Sequence, residues 1–143
     1  MHLTLKPGRK IMGRLAKGDD LLLGLEKCAQ DLKITLGEVQ AIGAVTQARV
    51  GYYDQFARKY MFLTFPEPQE ILSLVGNISI KDNQPFVHAH LTLADQEGRA
   101  VGGHLAEGAL VFACEFWIQE YTSGKSLVRH HDEETGLFLW PKD

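Results

Sequence analysis

From residue 39 onward, short apolar and β-branched segments follow one another with no helical segment between them. Most of them end at Gly, Pro, Asn or Asp, which is typical of strands joined by turns. Parallel strands need a long crossover, usually a helix, so this succession predicts mainly antiparallel pairing. Seven or eight strands are predicted, over residues 39–53, 60–65, 70–75, 78–80, 86–93, 100–105 and 109–121, with 127–130 as the eighth.

One amphipathic helix is predicted before these strands, over about residues 19–33. Leu21, Leu25 and Leu32 recur at helical spacing, and Asp20 stands where a helix cap is expected. One main helix packed on an antiparallel sheet gives the α+β class. The chain of 143 residues has the size of one domain, so we expect a single domain over residues 1–143.

Composition disfavours two classes of partner. The net charge is −3, whereas nucleic-acid binders usually carry a basic excess, so DNA is disfavoured. No apolar run approaches the roughly 18 residues of a membrane span, so no membrane partner is expected.

Cys28 and Cys114 lie far apart in apolar surroundings, which predicts free thiols in a reducing compartment and a cytoplasmic location.

Three of the six histidines, His88, His90 and His104, fall within 17 residues of the predicted sheet. Residues two apart on a strand point to the same face, so His88 and His90 project together. Histidine is the commonest metal-binding side chain, and three histidines with an open fourth position form a recurring catalytic zinc arrangement. These residues are therefore candidate metal ligands.

The loop between the two strands determines whether His104 joins the pair. Gln96-Glu97-Gly98 fits a three-residue hairpin loop closed by a glycine with positive φ. Asp95 then pairs with Arg99, and counting back along both strands places His90 opposite His104. A two-residue loop would turn His104 to the other face unless a bulge restored the parity. The position of the glycine favours the first register.

Three neutral imidazoles without a cysteine suit zinc, with iron, nickel or copper as substitutes. A site with three protein ligands leaves a position for water, a substrate oxygen or an anion, so a small-molecule ligand is expected there. We expect the adjacent pair His130 and His131 to be solvated, because neighbouring strand residues point to opposite faces.

Two carboxylates are weaker candidates for catalytic roles. Glu107 follows His104 closely and could orient a ligand or transfer a proton, although a solvated turn residue is the favoured alternative. Glu70 opens an apolar strand, where a buried carboxylate would need a partner. A charge at the strand edge is an equally good interpretation of Glu70.

Short motifs in a fixed order carry a resemblance to a known family. They are RL at 14–15 with GDDL at 18–21, AIGA at 41–44, EILSLVGNI at 70–78, PFVHAH at 85–90 and GGHL at 102–105. The series resembles the plants and prokaryotes conserved (PPC) domain, also called DUF296, over about residues 10–138. The resemblance implies an antiparallel sheet with a flanking helix, a homotrimer, and a metal at His88, His90 and His104.

Prokaryotic members of that family are usually described as predicted DNA-binding proteins. In plant members, DNA binding is implied to come from a separate basic arm with an Arg-Gly-Arg-Pro core that enters the minor groove. The segment Lys6-Pro7-Gly8-Arg9-Lys10 has the composition of such an arm but lacks the core. We therefore interpret it as a basic strand end or turn near a mobile N-terminus.

A more distant resemblance, confined to the three histidines and the inferred fold, is to acetolactate decarboxylase. That enzyme also holds zinc through a His-x-His pair and a later histidine. Three hypotheses follow for this chain. The first is a trimeric protein that binds a metal and a small ligand, with a metal-dependent enzyme acting on a small carbonyl or carboxylate substrate as one form of it. The second is a DNA-binding or regulatory module, and the third is a structural or partner-binding domain whose apolar strands build a trimer interface. The segment 111–118 is apolar on both faces, so it must be covered on both sides, by the helix and by another sheet or subunit.

Overall fold

The computed structural model describes residues 2–142, which form one helix and nine strands. The α+β, single-domain prediction is confirmed. The elements in chain order are β1 (Lys6–Leu15), α1 (Leu21–Asp31), β2 (Gly37–Asp54), β3 (Lys59–Phe65), β4 (Gln69–Lys81), β5 (Gln84–Ala94), β6 (Ala100–Leu105), β7 (Leu110–Thr122), β8 (His130–Asp132) and β9 (Leu137–Leu139).

Seven strands form one antiparallel sheet in the order β1-β7-β2-β4-β5-β6, with β3 paired to β2. Strand β2 is 18 residues long and pairs with different strands in its first and last parts. Its first part lies between β7 and β4, and its last part pairs with β3 and also with β6. The pairings of β2, β4, β5 and β6 therefore form a closed ring, because β6 is paired to both β5 and β2.

Helix α1 covers one face of this sheet. Leu21, Leu25 and Ala29 recur at helical spacing and are fully buried in the common core. The side chain of Asp20 caps the helix by accepting from the backbone N–H groups of two residues in the first turn, at 3.0 and 3.1 Å. The same carboxylate accepts from the N–H of Gly108 at 2.6 Å, which fixes the helix to the turn between β6 and β7.

The interpretation of residues 6–10 as a basic strand end is confirmed, although no strand was predicted for the residues that follow them. These residues begin β1, an edge strand paired with β7. An edge strand tolerates Pro7 and several charges because one side of its backbone faces solvent. Arg9 is held by two hydrogen bonds from its guanidinium to Glu120, at 2.7 and 2.8 Å.

The prediction of two short strands around Gly76-Asn77 is wrong, because β4 runs continuously through both residues. A Cβ atom on Gly76 would lie 2.4 Å from the carbonyl oxygen of His88 and 2.6 Å from Cβ of Ala89. Glycine here permits close approach of β5 to β4 and does not make a turn.

The C-terminal segment differs from the predicted eighth strand at residues 127–130. Val128 forms an isolated parallel bridge with Ile80, supported by backbone hydrogen bonds of 3.0 and 2.8 Å. Strands β8 and β9 then form a separate two-stranded hairpin. Nowhere in residues 2–142 is there a helix long and apolar enough to cross a membrane.

Candidate metal centre

The hairpin of β5 and β6 brings the three candidate histidines to one face. His90 pairs directly with His104, and Ala94 pairs with Ala100. Gly98 has a φ of 76°, and its N–H donates to the carbonyl of Asp95 at 2.9 Å. The three-residue loop and the register expected from it are confirmed.

The imidazole rings form a compact triangle. The ring centroids of His88 and His104 are 5.1 Å apart, and each lies 5.5 Å from the centroid of His90. One ligand nitrogen from each ring lies within 4.8 Å of the other two. Nitrogens bound to one tetrahedral zinc lie about 3.4 Å apart, so small side-chain rotations suffice to enclose an ion.

His104 is fixed from two sides because β6 pairs with both β5 and β2. It lies opposite His90 on β5 and opposite Gly51 on β2. The ring of Tyr60 lies 5.0 Å from the ring of His104. A Cβ atom on Gly51 would lie 3.0 Å from this tyrosine ring, so the glycine leaves room for the aromatic residue.

The electrostatic surroundings keep two of the rings neutral. Burial, followed by the charge of Arg129 and the other two histidines, lowers the pKa of His88 to about 4. Burial, followed by His90 and Arg129, lowers the pKa of His104 to about 4. Neutral imidazole is the form that binds metal ions, so these surroundings favour a metal over protons.

An unsatisfied polar atom also fits a metal ion. Nδ1 of His104 is buried and has no hydrogen-bond partner within residues 2–142. Buried polar atoms are nearly always satisfied by hydrogen bonds, water or ions. Three imidazole nitrogens with no thiolate among them form a donor set suited to zinc and to its neighbours in the first transition row.

A cleft of about 420 Å³ adjoins His88 and His104. It lies between the main sheet and the hairpin of β8 and β9, and no carboxylate belongs to the described residues that line it. Its other lining residues are Tyr53, Arg58, Lys59, Tyr60, Lys81, Phe86, Arg129, Gly136, Leu137, Phe138 and Leu139.

Glu70 and Glu107 lie apart from the histidines. Glu70 is exposed near the start of β4, five positions before Val75, which pairs with His90. That spacing corresponds to about 16 Å along a strand. Glu107 is exposed in the turn between β6 and β7, near α1, where its charge contributes to the raised pKa of Glu26, after burial as the main cause. Neither lines the cleft.

Arg129 is a residue of this site that the sequence reasoning missed. It is buried, and its Nη2 atom lies 3.4 Å from Nδ1 of His88. The parallel bridge between Val128 and Ile80 holds its backbone, and the N–H of Arg129 donates to the carbonyl of Ile80. Leu127 is apolar and two positions away, which was a signal that both side chains face inward.

A sequence profile of the Plants and Prokaryotes Conserved (PCC) domain matches residues 3–122. A metal-containing protein of Archaeoglobus fulgidus has a similar structure, with a TM-score of 0.93 and 42% identity over 99% of both chains. A plant- and prokaryote-conserved protein of Pyrococcus horikoshii has a TM-score of 0.92 and 32% identity over 97% of this chain and 95% of that one.

Two further similarities carry different names. A candidate DNA-binding protein of Ralstonia eutropha has a TM-score of 0.81 and 28% identity, over 92% of this chain and 90% of that one. The bifunctional protein GlmU of two Synechococcus strains is 37% and 36% identical over 69% and 86% of this chain. The aligned regions make up 15% and 18% of those two proteins, so this chain spans less than a fifth of their length.

Proposed function

This chain belongs to the Plants and Prokaryotes Conserved domain family, and we propose that it is a metal-binding protein with a site for a small ligand. His88, His90 and His104 would hold one zinc ion, or another divalent transition ion. Three protein ligands leave one position of a tetrahedral ion open, and the adjoining cleft gives a ligand access to it.

The observation that carries this proposal is the meeting of three imidazoles at one centre. They come from two strands whose register is fixed by a specific turn and by a second pairing with β2. The buried Nδ1 atom of His104 and the neutral state of two rings add independent support. The similarity to a metal-containing protein of Archaeoglobus fulgidus agrees with it.

When bound, such an ion would act as a Lewis acid toward a ligand oxygen or lower the pKa of a bound water. The protein itself would supply orientation and charge. Tyr60 packs against His104, and Arg129 lies beside His88. An enzyme acting on a small carbonyl or carboxylate substrate is the second candidate, supported by the open position and the cleft.

The metal content of the purified protein tests the main proposal. The protein should be prepared without a histidine tag, exposed to zinc and passed through a desalting column. We expect about one zinc per chain for the wild type and less than a tenth of that for His88→Ala. The absence of stoichiometric metal in both proteins would contradict the proposal.

DNA binding is a further candidate, favoured by the name of the Ralstonia eutropha protein. The net charge of −3 weakens it, because an acidic excess opposes binding to phosphates, and Arg9 of the basic segment is paired with Glu120. Retardation of A·T-rich DNA that weakens with salt would support this candidate. No retardation at about 50 mM salt, where phosphate contacts are strongest, would count against it.

We also propose that the chain assembles as a homotrimer in the cytoplasm. Adjacent strands β7, β2 and β4 carry large apolar side chains with about half of their surface exposed, namely Phe112, Ile42, Leu72 and Val75. Exposed apolar patches commonly mark contacts between proteins. Val75 lies opposite His90, so such a contact would adjoin the histidines. The two free cysteines agree with a reducing compartment.

The solution mass tests the assembly. Light scattering after gel filtration should give about three times the chain mass for the wild type. Val75→Asp should shift the protein toward the monomer, because a carboxylate would be buried at the contact. A predominantly monomeric wild type would contradict the trimer.

A further inference from the structure

Among the residues that the structure describes, Arg129 is a buried cation without an anionic partner. Its residue is 7% exposed. Its guanidinium donates to three neutral acceptors: Oγ of Ser79 at 2.9 Å, Oδ1 of Asn77 at 2.9 Å and the carbonyl of Phe138 at 3.0 Å. Within residues 2–142, no carboxylate lies within salt-bridge distance of this group.

In this arrangement the hydrogen bonds of the guanidinium are satisfied, but its charge is not neutralised. A buried charge costs several kcal/mol unless it is paired, so buried arginines normally face a carboxylate or phosphate. Three further cations, Arg58, Lys59 and Lys81, line the same cleft. The described residues that line the cleft therefore include four cationic side chains and no carboxylate, even before any metal ion is added.

Metal binding would increase this excess of positive charge and also free a donor. A neutral imidazole has a single nitrogen lone pair, and in the metal-free protein Nδ1 of His88 faces Nη2 of Arg129 at 3.4 Å. An ion bound to the ring takes that lone pair, either at Nδ1 itself or at Nε2 with the proton moved to Nδ1. In both cases His88 can no longer accept a hydrogen bond. One N–H of Arg129, beside the cleft, then has no acceptor.

We infer that this cleft binds a small organic oxyanion, a carboxylate, which contacts Arg129 and occupies the open position of the metal. The inference rests on the proposed metal site and adds the charge and chemical class of its ligand. The freed N–H of the guanidinium can donate to a carboxylate oxygen in a charge-assisted hydrogen bond, and the ligand's negative charge offsets the charges of both the guanidinium and the metal ion.

Other residues of the cleft fit the remainder of such a ligand. Nζ of Lys81 lies 4.3 Å from the ring centroid of Phe138 and 5.2 Å from that of Phe86, so it is held over aromatic faces at the cleft wall. The aromatic rings and Leu137 offer an apolar surface for a short carbon skeleton. The volume of about 420 Å³ is in the range of small-molecule sites.

Binding of lactate to the untagged protein, measured by calorimetry, tests the inference. Lactamide is the matched probe, since it has almost the same shape and no charge. The zinc content of each sample is measured first, so that loss of the metal is separated from loss of the anion contact. We expect zinc-loaded wild type to bind lactate at least tenfold more tightly than lactamide, and more tightly than the metal-free protein does.

Two variants assign the effect to the cleft. Arg129→Lys should retain zinc and weaken lactate binding at least tenfold, because an ammonium group cannot keep the hydrogen bonds of Arg129 and also present an N–H to the ligand. Lys81→Met, at a less buried residue, should weaken lactate binding about threefold and serves as the test should Arg129→Lys fail to fold. Equal binding of lactate and lactamide, or lactate binding unchanged in the folded variants, would overturn the inference. A wild type without zinc would instead refute the metal site on which it rests.

Discussion

Two hairpins of this protein carry histidines, and they differ in whether the histidine side chains point to the same face of the hairpin. In the hairpin of β5 and β6, His88 and His90 are two residues apart, and His104 lies opposite His90. In the hairpin of β8 and β9, His130 and His131 are adjacent and face Leu139 and Phe138 across the ladder. The first hairpin has three histidines and the second has two. Only in the first does the pairing of the strands bring the imidazole rings together.

The surroundings of the histidines in the two hairpins also differ, and they too favour a metal ion at the first hairpin. Burial and neighbouring positive charge lower the pKa of His88 and His104 to about 4. His130 and His131 are both exposed, and Nδ1 of His131 lies 3.0 Å from a carboxylate oxygen of Glu133. The first environment favours neutral ligating imidazoles, whereas the rings of the second hairpin are exposed and lie beside a carboxylate that competes with any metal ion for them.

The largest expected effect is on metal affinity. His104→Gln should weaken zinc binding at least about 100-fold, because a three-ligand site loses one of its imidazoles. Competition with a chromogenic chelator at pH 7 measures the change. His131→Gln is the matched control in the other hairpin and should leave the affinity within about twofold. Equal losses in the two variants would remove the distinction between the hairpins.

The second effect concerns the acid stability of the metal-free protein. The unfolded chain takes up protons on its histidines near pH 6.5, whereas His88 and His104 stay neutral in the fold until about pH 4. Lowering the pH through this interval therefore favours the unfolded state. We expect a loss on the order of 2 kcal/mol between pH 6.5 and 4, after allowing for solvent screening of partly exposed rings.

Urea denaturation across this pH range, with chelator present, measures the effect. A variant with both His88→Gln and His104→Gln should have a flatter dependence on pH, and His131→Gln should keep the slope of the wild type. A wild-type slope that the double substitution does not change would assign the acid sensitivity to other groups.

The two turns offer a smaller test. Gly98 and Gly136 have φ angles of 76° and 74°, so alanine is strained by about 1 kcal/mol at either position. A Cβ atom at Gly98 meets nothing within 4 Å, whereas at Gly136 it would lie 2.8 Å from Oη of Tyr53. Gly136→Ala should therefore destabilise more, by about 2 kcal/mol, because it also disturbs the hydrogen bond from Tyr53 to the carbonyl of Thr135.

Chemical denaturation of both variants checks this order. Gly98→Ala should keep its affinity for zinc, because its turn is strained without a change of register. A loss of zinc affinity above tenfold in this variant would mean that strain in the turn shifts the pairing of His90 with His104.

The smallest effect is expected at the surface ion pair of the second hairpin. His131 and Glu133 are exposed, so their contact contributes little to folding. His131→Gln should change the unfolding free energy at pH 7 by less than about 0.5 kcal/mol. A larger change, measured by urea denaturation, would mean that this hairpin depends on the histidine after all.

The sequence predicted the parts of the fold that depend on local patterns. The spacing of Leu21 and Leu25 identified α1, and the position of Gly98 set the turn and hence the register of the histidine hairpin. Strand β1 was missed because an edge strand needs neither alternation nor a complete set of backbone donors, as Pro7 shows. Gly76 was mistaken for a turn because close approach between strands is a tertiary property.

The site was predictable only to the extent that its residues lie close together in sequence. His88, His90 and His104 share one hairpin, so strand periodicity and one turn were enough to bring them together. Arg129 reaches them through a parallel bridge to Ile80, a pairing between segments far apart in the chain. The closure of β6 against β2, which fixes His104, is likewise a long-range contact that no local pattern encodes.

X-ray absorption at the zinc edge tests most directly whether three imidazoles share one ion. For zinc-loaded protein, the account predicts imidazole scattering from three nitrogens at about 2.0–2.1 Å, with one further light atom and no sulfur at 2.3 Å. The signature should collapse in His104→Gln and persist in His131→Gln. A sulfur shell, a shell of oxygens alone, or an unchanged spectrum in His104→Gln would contradict the central claim.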